Sequence, residues 1–344
     1  MYLALHNTHA PLEAEPEDLA LYANFSWKKQ QTYYAMATAV DRTVGRVVAA
    51  LKARDMWENT LCIWTTDNGA PVQVGGSNGP QRGGKGSYVF ARALPLPPNA
   101  PENKNTPRNL YPPIPPNRNW EGGVHEPAVW GGGLIPPARR GAELPRASAG
   151  AFAIADAHAT FLALAGLSPV DPNPRAPAPV DGLDVWDWVA GKTPVSPRIV
   201  VGLPLDHLNY PFRNRSIVGA FIKGDLKLIV GPPGGETQAS WYGGAPDYFT
   251  PNASMPVPPI NFAACDQNEA PGGCLFNLTA DPNEHEDIAG SQPALFASMM
   301  AEFVAWNATY HPPYIVPPSE KQEACAVALL PENDVTVAPW RSEP

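Results

Sequence analysis

The chain has 344 residues, of which 44% are hydrophobic, and a formal net charge of −9 at pH 7. That length makes one large domain or two ordinary ones, with apolar residues enough for a substantial core. The acidic balance excludes the basic face that a nucleic-acid binder shows, and no apolar run reaches the roughly 20 residues of a membrane-spanning helix. Proline stands at 43 of 344 residues, where about 5% is usual. The prolines cluster at 95–117, 169–179, 231–259 and 311–318. Such stretches form neither regular helix nor central strand, and they read as long, partly extended loops.

In chain order, Tyr2 to Leu5 reads as a core strand opening into a polar loop, Asn7 to Glu17, that carries His9. Val40, Val44, Val47 and Leu51 recur at i, i+4, i+7 and i+11 and predict a helix over 28–54. A strand over 61–66 follows, then a Gly-rich loop at 69–87 holding Arg82 and Lys85. The Pro/Asn-rich residues 88–119 read as an insertion. Glu121-Gly122-Gly123-Val124 leads to a short strand, Ala128 to Trp130. An apolar helix spans 149–166, carries Asp156 and His158, and ends at Gly166. Asp181-Gly182-Leu183-Asp184 begins a helical turn through Trp188. Alternation of strand and helix over 1–190 predicts a layered α/β domain.

Past residue 195 the pattern changes. Ile199 to Val201, Ser216 to Ile222 and Leu226 to Val230 read as short strands, the last two joined by a Lys223-Gly224-Asp225 hairpin turn. Ala294 to Trp306 reads as a helix with Leu295, Met299 and Phe303 on one face. Two parts are expected: α/β over 1–194, with 88–119 inserted, and a small antiparallel sheet plus helix over 195–344.

The chemistry starts at Thr65-Thr66-Asp67-Asn68-Gly69, which follows the apolar Leu61-Cys62-Ile63-Trp64. An Asp and an Asn thus leave the carboxyl end of a strand, where open α/β sheets bind ligands. A carboxylate beside a carboxamide offers hard oxygens suited to calcium or magnesium. The same Asp-Asn-Gly is also ordinary turn chemistry.

Four cysteines are present: Cys62, Cys265, Cys274 and Cys325. Cys62 is expected to be a buried thiol. Cys265 and Cys274 flank a Gly/Pro loop and could bridge locally, leaving Cys325 without a mate. Five Asn-x-Ser/Thr sequons, at Asn24, Asn214, Asn252, Asn277 and Asn307, favour a secretory route and a glycoprotein. Met1 to His6 lacks the charged region and cleavage site of a signal peptide. A start directly on a core strand carries the expectation that an upstream segment is absent.

Seven motifs occur in order. They are Tyr2-Leu3-Ala4-Leu5 through His9-Ala10-Pro11-Leu12; Tyr34-Ala35-Met36 through Asp41, Val44 and Gly45; and Thr66-Asp67-Asn68-Gly69. There follow Arg82-Gly83-Gly84-Lys85-Gly86-Ser87, Trp120-Glu121-Gly122-Gly123-Val124, Asp181-Gly182-Leu183-Asp184-Val185-Trp186, and Leu275-Phe276-Asn277-Leu278 with Asp281-Pro282. Together they resemble the sulfatase family, its arylsulfatase B-like (N-acetylgalactosamine-sulfatase) branch in particular, over that family's carboxyl-terminal portion. The resemblance implies an alkaline-phosphatase-like α/β fold and hydrolysis of sulfuric esters, either aryl sulfates or sulfated sugars. It implies Asp67 and Asn68 as ligands of a divalent cation, usually Ca2+. It implies Lys85 as the ammonium that contacts a sulfate oxygen, and His9 as the imidazole near the sulfate and the leaving group. A lysosomal or secreted location belongs to the same expectation.

Departures from the family pattern matter as much. The family's nucleophile is a formylglycine made from Cys in a Cys-x-Pro-Ser-Arg type motif, and none of the four cysteines begins one. No Asp-Asp pair occurs. The chain by itself is therefore expected to be inactive. The family also ties its C-terminal tail to the amino-terminal half, which would account for Cys325. His125 stands where relatives commonly carry Arg. A catalytically dead module that binds sulfated glycan or a protein partner is the alternative. Phosphoester chemistry ranks behind both, because no further Asp/His ligand set follows Asp67.

Overall fold

A computed structural model describes residues 1–71, 75–85, 119–144, 150–170, 180–203, 219–230 and 272–309. Helix α1 (Pro16–Leu21) starts on Pro16, whose fixed φ and missing N–H suit a first helical turn. This turn falls partly inside the segment expected to be loop. Helix α2 (Lys28–Lys52) follows the predicted span closely. Its most buried residues are Gln30, Gln31, Ala35 and Met36, whereas the Val40, Val44, Val47 and Leu51 stripe is only half-buried. Strand β1 (Cys62–Thr65) pairs antiparallel with β2 (Ala128–Gly131), Cys62 opposite Gly131 and Thr65 opposite Ala128. Between them in sequence, Glu121–Val124 is a short helical turn, α3. Helix α4 (Ile154–Leu164) ends as expected, with Gly166 at φ +71° just beyond it. Helix α5 (Trp186–Val189) packs Trp188 and Val189 with Ile135 and Val185 into one small core.

The second sheet is β3 (Val200–Gly202), β4 (Gly219–Lys223), β5 (Leu226–Val230) and β6 (Gly273–Asn277), all antiparallel and in sequence order. Gly224, at φ +54°, makes the tight β4–β5 turn. Side chains alternate across this sheet. Phe221, Leu228, Val230 and Leu275 meet Met299, Met300 and Phe303 of α6 (Pro293–Asn307). Ala220, Ile229, Cys274 and Phe276 face the other way and pack on Trp120. Lys227 lies two residues before Ile229, so it points to the Trp120 face as well. This second face joins the sheet to the 120–125 turn.

Two expectations are corrected. Tyr2 to Leu5 is not strand, and Tyr2 and Leu3 are exposed, 92% and 52%. The four-residue apolar run has no neighbouring strand to pair with among the described residues, and pattern alone cannot supply the hydrogen bonds of a sheet. Cys62 is a free thiol but only half-buried, because the two-stranded β1–β2 sheet is thinly covered there; burial still pushes its thiol pKa up. Cys274 is disulfide-bonded, with its partner outside the described residues. The insertion at 88–119 lies outside them apart from Asn119, and so do Ser216 to Val218 of the expected β4.

Candidate active site

The apolar strand β1 delivers Thr66, Asp67 and Asn68 at its carboxyl end. Asp67 is exposed, and its carboxylate takes no hydrogen bond or ion pair among the described residues. Asn68 Nδ2 donates to Gly69 O at 3.2 Å, which turns the amide nitrogen toward its own backbone and leaves Oδ1 free as a donor oxygen. Gly69 is buried under the 120–125 turn. Its N–H donates to Gly123 O at 3.3 Å, and a Cβ built on it would stand 1.8 Å from Gly122 O. No side chain fits there. Gly69→Ala should therefore lower the unfolding free energy by about 2 kcal/mol, as other overpacked positions do, measurable by urea denaturation.

Three sets of hydrogen bonds bind this turn to the loop of Lys85. Lys85 N donates to Ala70 O at 3.3 Å. The Asn78 carboxamide accepts from Ala70 N at 2.6 Å and donates to Ala70 O at 2.9 Å and Gly83 O at 3.1 Å. Gly122 N donates to Arg82 O at 2.7 Å. The backbones that carry Asp67, Asn68 and Lys85 are thus laced together, and Lys85 itself is half-buried.

His9 arrives by a separate path. Asn7 Nδ2 donates to Met36 O at 3.4 Å, and the Thr8 side chain hydrogen-bonds the Tyr33 hydroxyl. The Tyr33 hydroxyl pKa is raised, by burial first and then by the charges of Glu126 and Asp67. Tyr33 therefore interacts with the His9 loop through Thr8 and feels the charge of the Asp67 turn, a link that nothing in the sequence signalled. His9 Nδ1 lies 2.8 Å from Ala10 O. A carbonyl only accepts, so Nδ1 carries the proton of the neutral ring and Nε2 is the nitrogen left for other chemistry. No hydrogen bond or ion pair joins the four side chains of His9, Asp67, Asn68 and Lys85 to one another among the described residues.

The donor set bears on a cation. Glu126 binds Thr66 Oγ1 through Oε2, its Oε1 has no hydrogen-bond partner, and its carboxyl pKa is raised by burial and further by Asp67. An unengaged, exposed carboxylate on Asp67, close to the partly buried Glu126 carboxyl with its unpartnered Oε1, fits a divalent cation. Asp67 and Asn68 give only two of the six to eight oxygens that calcium takes. The described residues hold no group of three or more His, Cys, Asp or Glu that could complete the set.

Behind the turn sits a charge cluster that the sequence did not suggest. Lys227 Nζ is fully buried, 2.6 Å from Glu121 Oε1 and 2.7 Å from Glu284 Oε1. Glu284 Oε2 accepts from Glu121 N at 2.8 Å. The Arg82 guanidinium lies over the Trp120 ring at 3.6 Å and donates to Glu284 O at 3.2 Å. His125 Nδ1 is 3.0 Å from Glu121 Oε2. Burial acts to raise the Glu121 pKa, yet Lys227 and His125 carry it down to about 2. Burial wins at Glu284, whose pKa rises to about 7 despite Lys227. Burial likewise draws Arg82 down to about 10.

Residues 1–167 match the family model described as Sulfatase. Mouse arylsulfatase J is 24% identical over 331 residues, covering 91% of this chain and 46% of that protein. Dog N-acetylgalactosamine-6-sulfatase is 30% identical over 196 residues, covering 56% of this chain and 28% of that protein. Among solved structures, Ps i-CgsB in complex with k-i-k-neocarrahexaose aligns with TM-score 0.58 at 24% identity, over 96% of this chain and 55% of that one. The chain thus spans about half or less of the length of these relatives. The structural likeness agrees with an α/β fold of the alkaline-phosphatase-like type. Family match and fold point the same way: residues 1–167 carry the sulfatase family match, and the curated relatives that the chain resembles are sulfatases.

Proposed function

We propose that this chain carries part of the active site of a calcium-dependent sulfuric ester hydrolase acting on sulfated sugars or aryl sulfates. The observation that carries the reading is the lacing of the Asp67–Asn68 turn to the Lys85 loop through Ala70, Asn78 and the 122–123 turn. Relatives named for sulfate esters, one of an amino sugar, support the substrate class.

In this reading Asp67 and Asn68 hold the cation, which when bound neutralises charge on a sulfuryl oxygen. Lys85 places its ammonium on a second sulfuryl oxygen, where charge spreads in the transition state. His9 keeps Nδ1 engaged with Ala10 O and presents Nε2 to the leaving oxygen. The imidazolium form donates the proton there as the S–O bond breaks and the sulfuryl group passes to a nucleophile that these residues do not themselves supply. The division into 1–194 and 195–344, glycosylation at the sequons, and a lysosomal or secreted setting belong to the same reading.

The sequence has no Cys-x-Pro/Ala-x-Arg motif, so the 344 residues alone are expected to release no measurable product from an aryl sulfate. That absence also favours a second reading, a module that binds sulfated glycan without hydrolysing it. One experiment addresses both. The purified chain is incubated with an aryl sulfate, and separately titrated with a sulfated oligosaccharide in calcium and in chelator. No turnover with calcium-dependent binding, weakened about tenfold or more by Lys85→Ala, supports the proposed site. Sustained turnover overturns the assigned loss of the nucleophile, and binding indifferent to both calcium and Lys85 overturns the site.

A further inference from the structure

The 120–125 turn touches both halves of the candidate site. Gly123 O receives Gly69 N, next to Asn68, and Gly122 N reaches Arg82 O, three residues before Lys85. Thr66 is tied to Glu126 at the far end of the same turn. The turn is only four residues of helix, too short to hold its shape by its own hydrogen bonds. Something else fixes it, and the contacts converge on Glu121. Its N–H is held by Glu284 Oε2 at 2.8 Å, its Oε1 by Lys227 Nζ at 2.6 Å, and its Oε2 lies 3.0 Å from His125 Nδ1.

We propose that Glu121 is a positioning residue for the cation and sulfate site: anchored by Lys227 of β5 and by Glu284, it fixes the turn that holds the Asp67–Asn68 end of β1 and the Arg82–Lys85 loop at one spacing. This rests on the reading of Asp67, Asn68 and Lys85 given above. The C-terminal sheet thereby acts on the chemistry of the first sheet without touching substrate. Its other face, packed on Phe303 of α6, supplies stability. Its Lys227 face supplies geometry.

Two readouts on the full 344-residue chain test this. The first is native-state hydrogen exchange at the amides of Gly69 and Gly122, which needs no ligand. The second is calcium affinity by titration calorimetry with calcium chloride alone. Glu121→Ala should speed exchange at these two amides about 10- to 100-fold relative to amides inside α2, and weaken calcium by about tenfold, as loss of a supporting partner does at metal sites. Glu121→Gln keeps the shape and one hydrogen bond to Lys227, so it should fold and lie between wild type and Glu121→Ala in both readouts. Phe303→Ala in α6, which packs on the opposite face, is the control; it destabilises the sheet and should leave the Gly69-to-α2 exchange ratio and the calcium affinity unchanged.

Unaltered exchange at Gly69 and Gly122 in both Glu121 variants overturns the proposal, and so does an equal change in Phe303→Ala. If Glu121→Ala loosens the two amides while the wild-type chain binds no calcium, the positioning role stands and the metal reading falls.

Discussion

Asp67→Ala should leave the chain with no measurable calcium binding. Two protein oxygens and solvent make a weak site, with a dissociation constant expected at about 10⁻⁴–10⁻³ M, the range of modules with few charged ligands. Asp67 is the only charged member of the proposed pair, so its loss removes most of the electrostatic attraction. A weakening of at least about 100-fold is expected, more than the loss of a merely supporting residue gives. Asn68→Ala removes a neutral donor and should weaken binding less. Isothermal titration with calcium chloride reads both. The Glu126 carboxyl is raised by burial and by the nearby Asp67 charge, so the Asp67 variant also relieves a repulsion. Asp67→Ala should accordingly fold at least as well as wild type while losing the ion. Coupled loss of folding and binding would instead mark Asp67 as a turn residue.

Lys227→Ala should be the most destabilising single change among the described residues. Lys227 is wholly buried with two carboxylates within 2.7 Å. Removing it leaves Glu121 and Glu284 facing each other without the cation that holds them, a change that costs about 3–5 kcal/mol at buried ion pairs. Lys227→Met separates charge from volume. It refills the space, yet it still strands the carboxylates, so it should cost nearly as much. Urea unfolding of the two variants decides between them. Recovery of most of the loss by methionine would show that packing, not charge, makes Lys227 necessary.

Much of the fold was legible because several elements space their apolar residues at the period of a helix or a strand. The Val-rich heptad-like spacing gave α2, and the short apolar runs gave β1, β2 and β5. Gly166 and Gly224 punctuate the chain where left-handed backbone is required. What was not legible depends on partners distant in sequence. Lys227, inside Leu226-Lys227-Leu228-Ile229-Val230, reads by alternation as the solvent face of a strand. It is buried because Glu121 and Glu284, 106 and 57 residues away, meet it there. Glu121 opens a Gly-Gly segment leading to a short strand, and nothing in its neighbours showed that this turn would brace two loops. Strand β6 was missed because Cys274 and its neighbours follow a Pro/Gly-rich stretch that hides the run. The opposite error came at Tyr2 to Leu5, where an apolar run without a pairing partner is not a strand.

The candidate site divides the same way. Asp67 and Asn68 were marked by their place at a strand end, and Lys85 by its Gly-rich flank together with the family likeness. Tyr33, Asn78 and Glu126 carry no such mark. Tyr33 sits on a helix among other aromatic residues, Asn78 in a polar loop, and Glu126 beside a proline. Their roles come from what the fold sets against them: Thr8 and Asp67 for Tyr33, Ala70 and Gly83 for Asn78, Thr66 for Glu126.

The most direct test is crystallographic: crystals of the 344-residue chain soaked in calcium chloride and sodium sulfate, with the cation located by its anomalous signal. A calcium ion is expected at about 2.3–2.6 Å from oxygens of Asp67 and Asn68, with a sulfate oxygen on that ion and Lys85 Nζ and His9 Nε2 within hydrogen-bonding reach of the sulfate. Calcium bound elsewhere, or Lys85 and His9 directed away from the Asp67 turn with sulfate absent, would contradict this assignment.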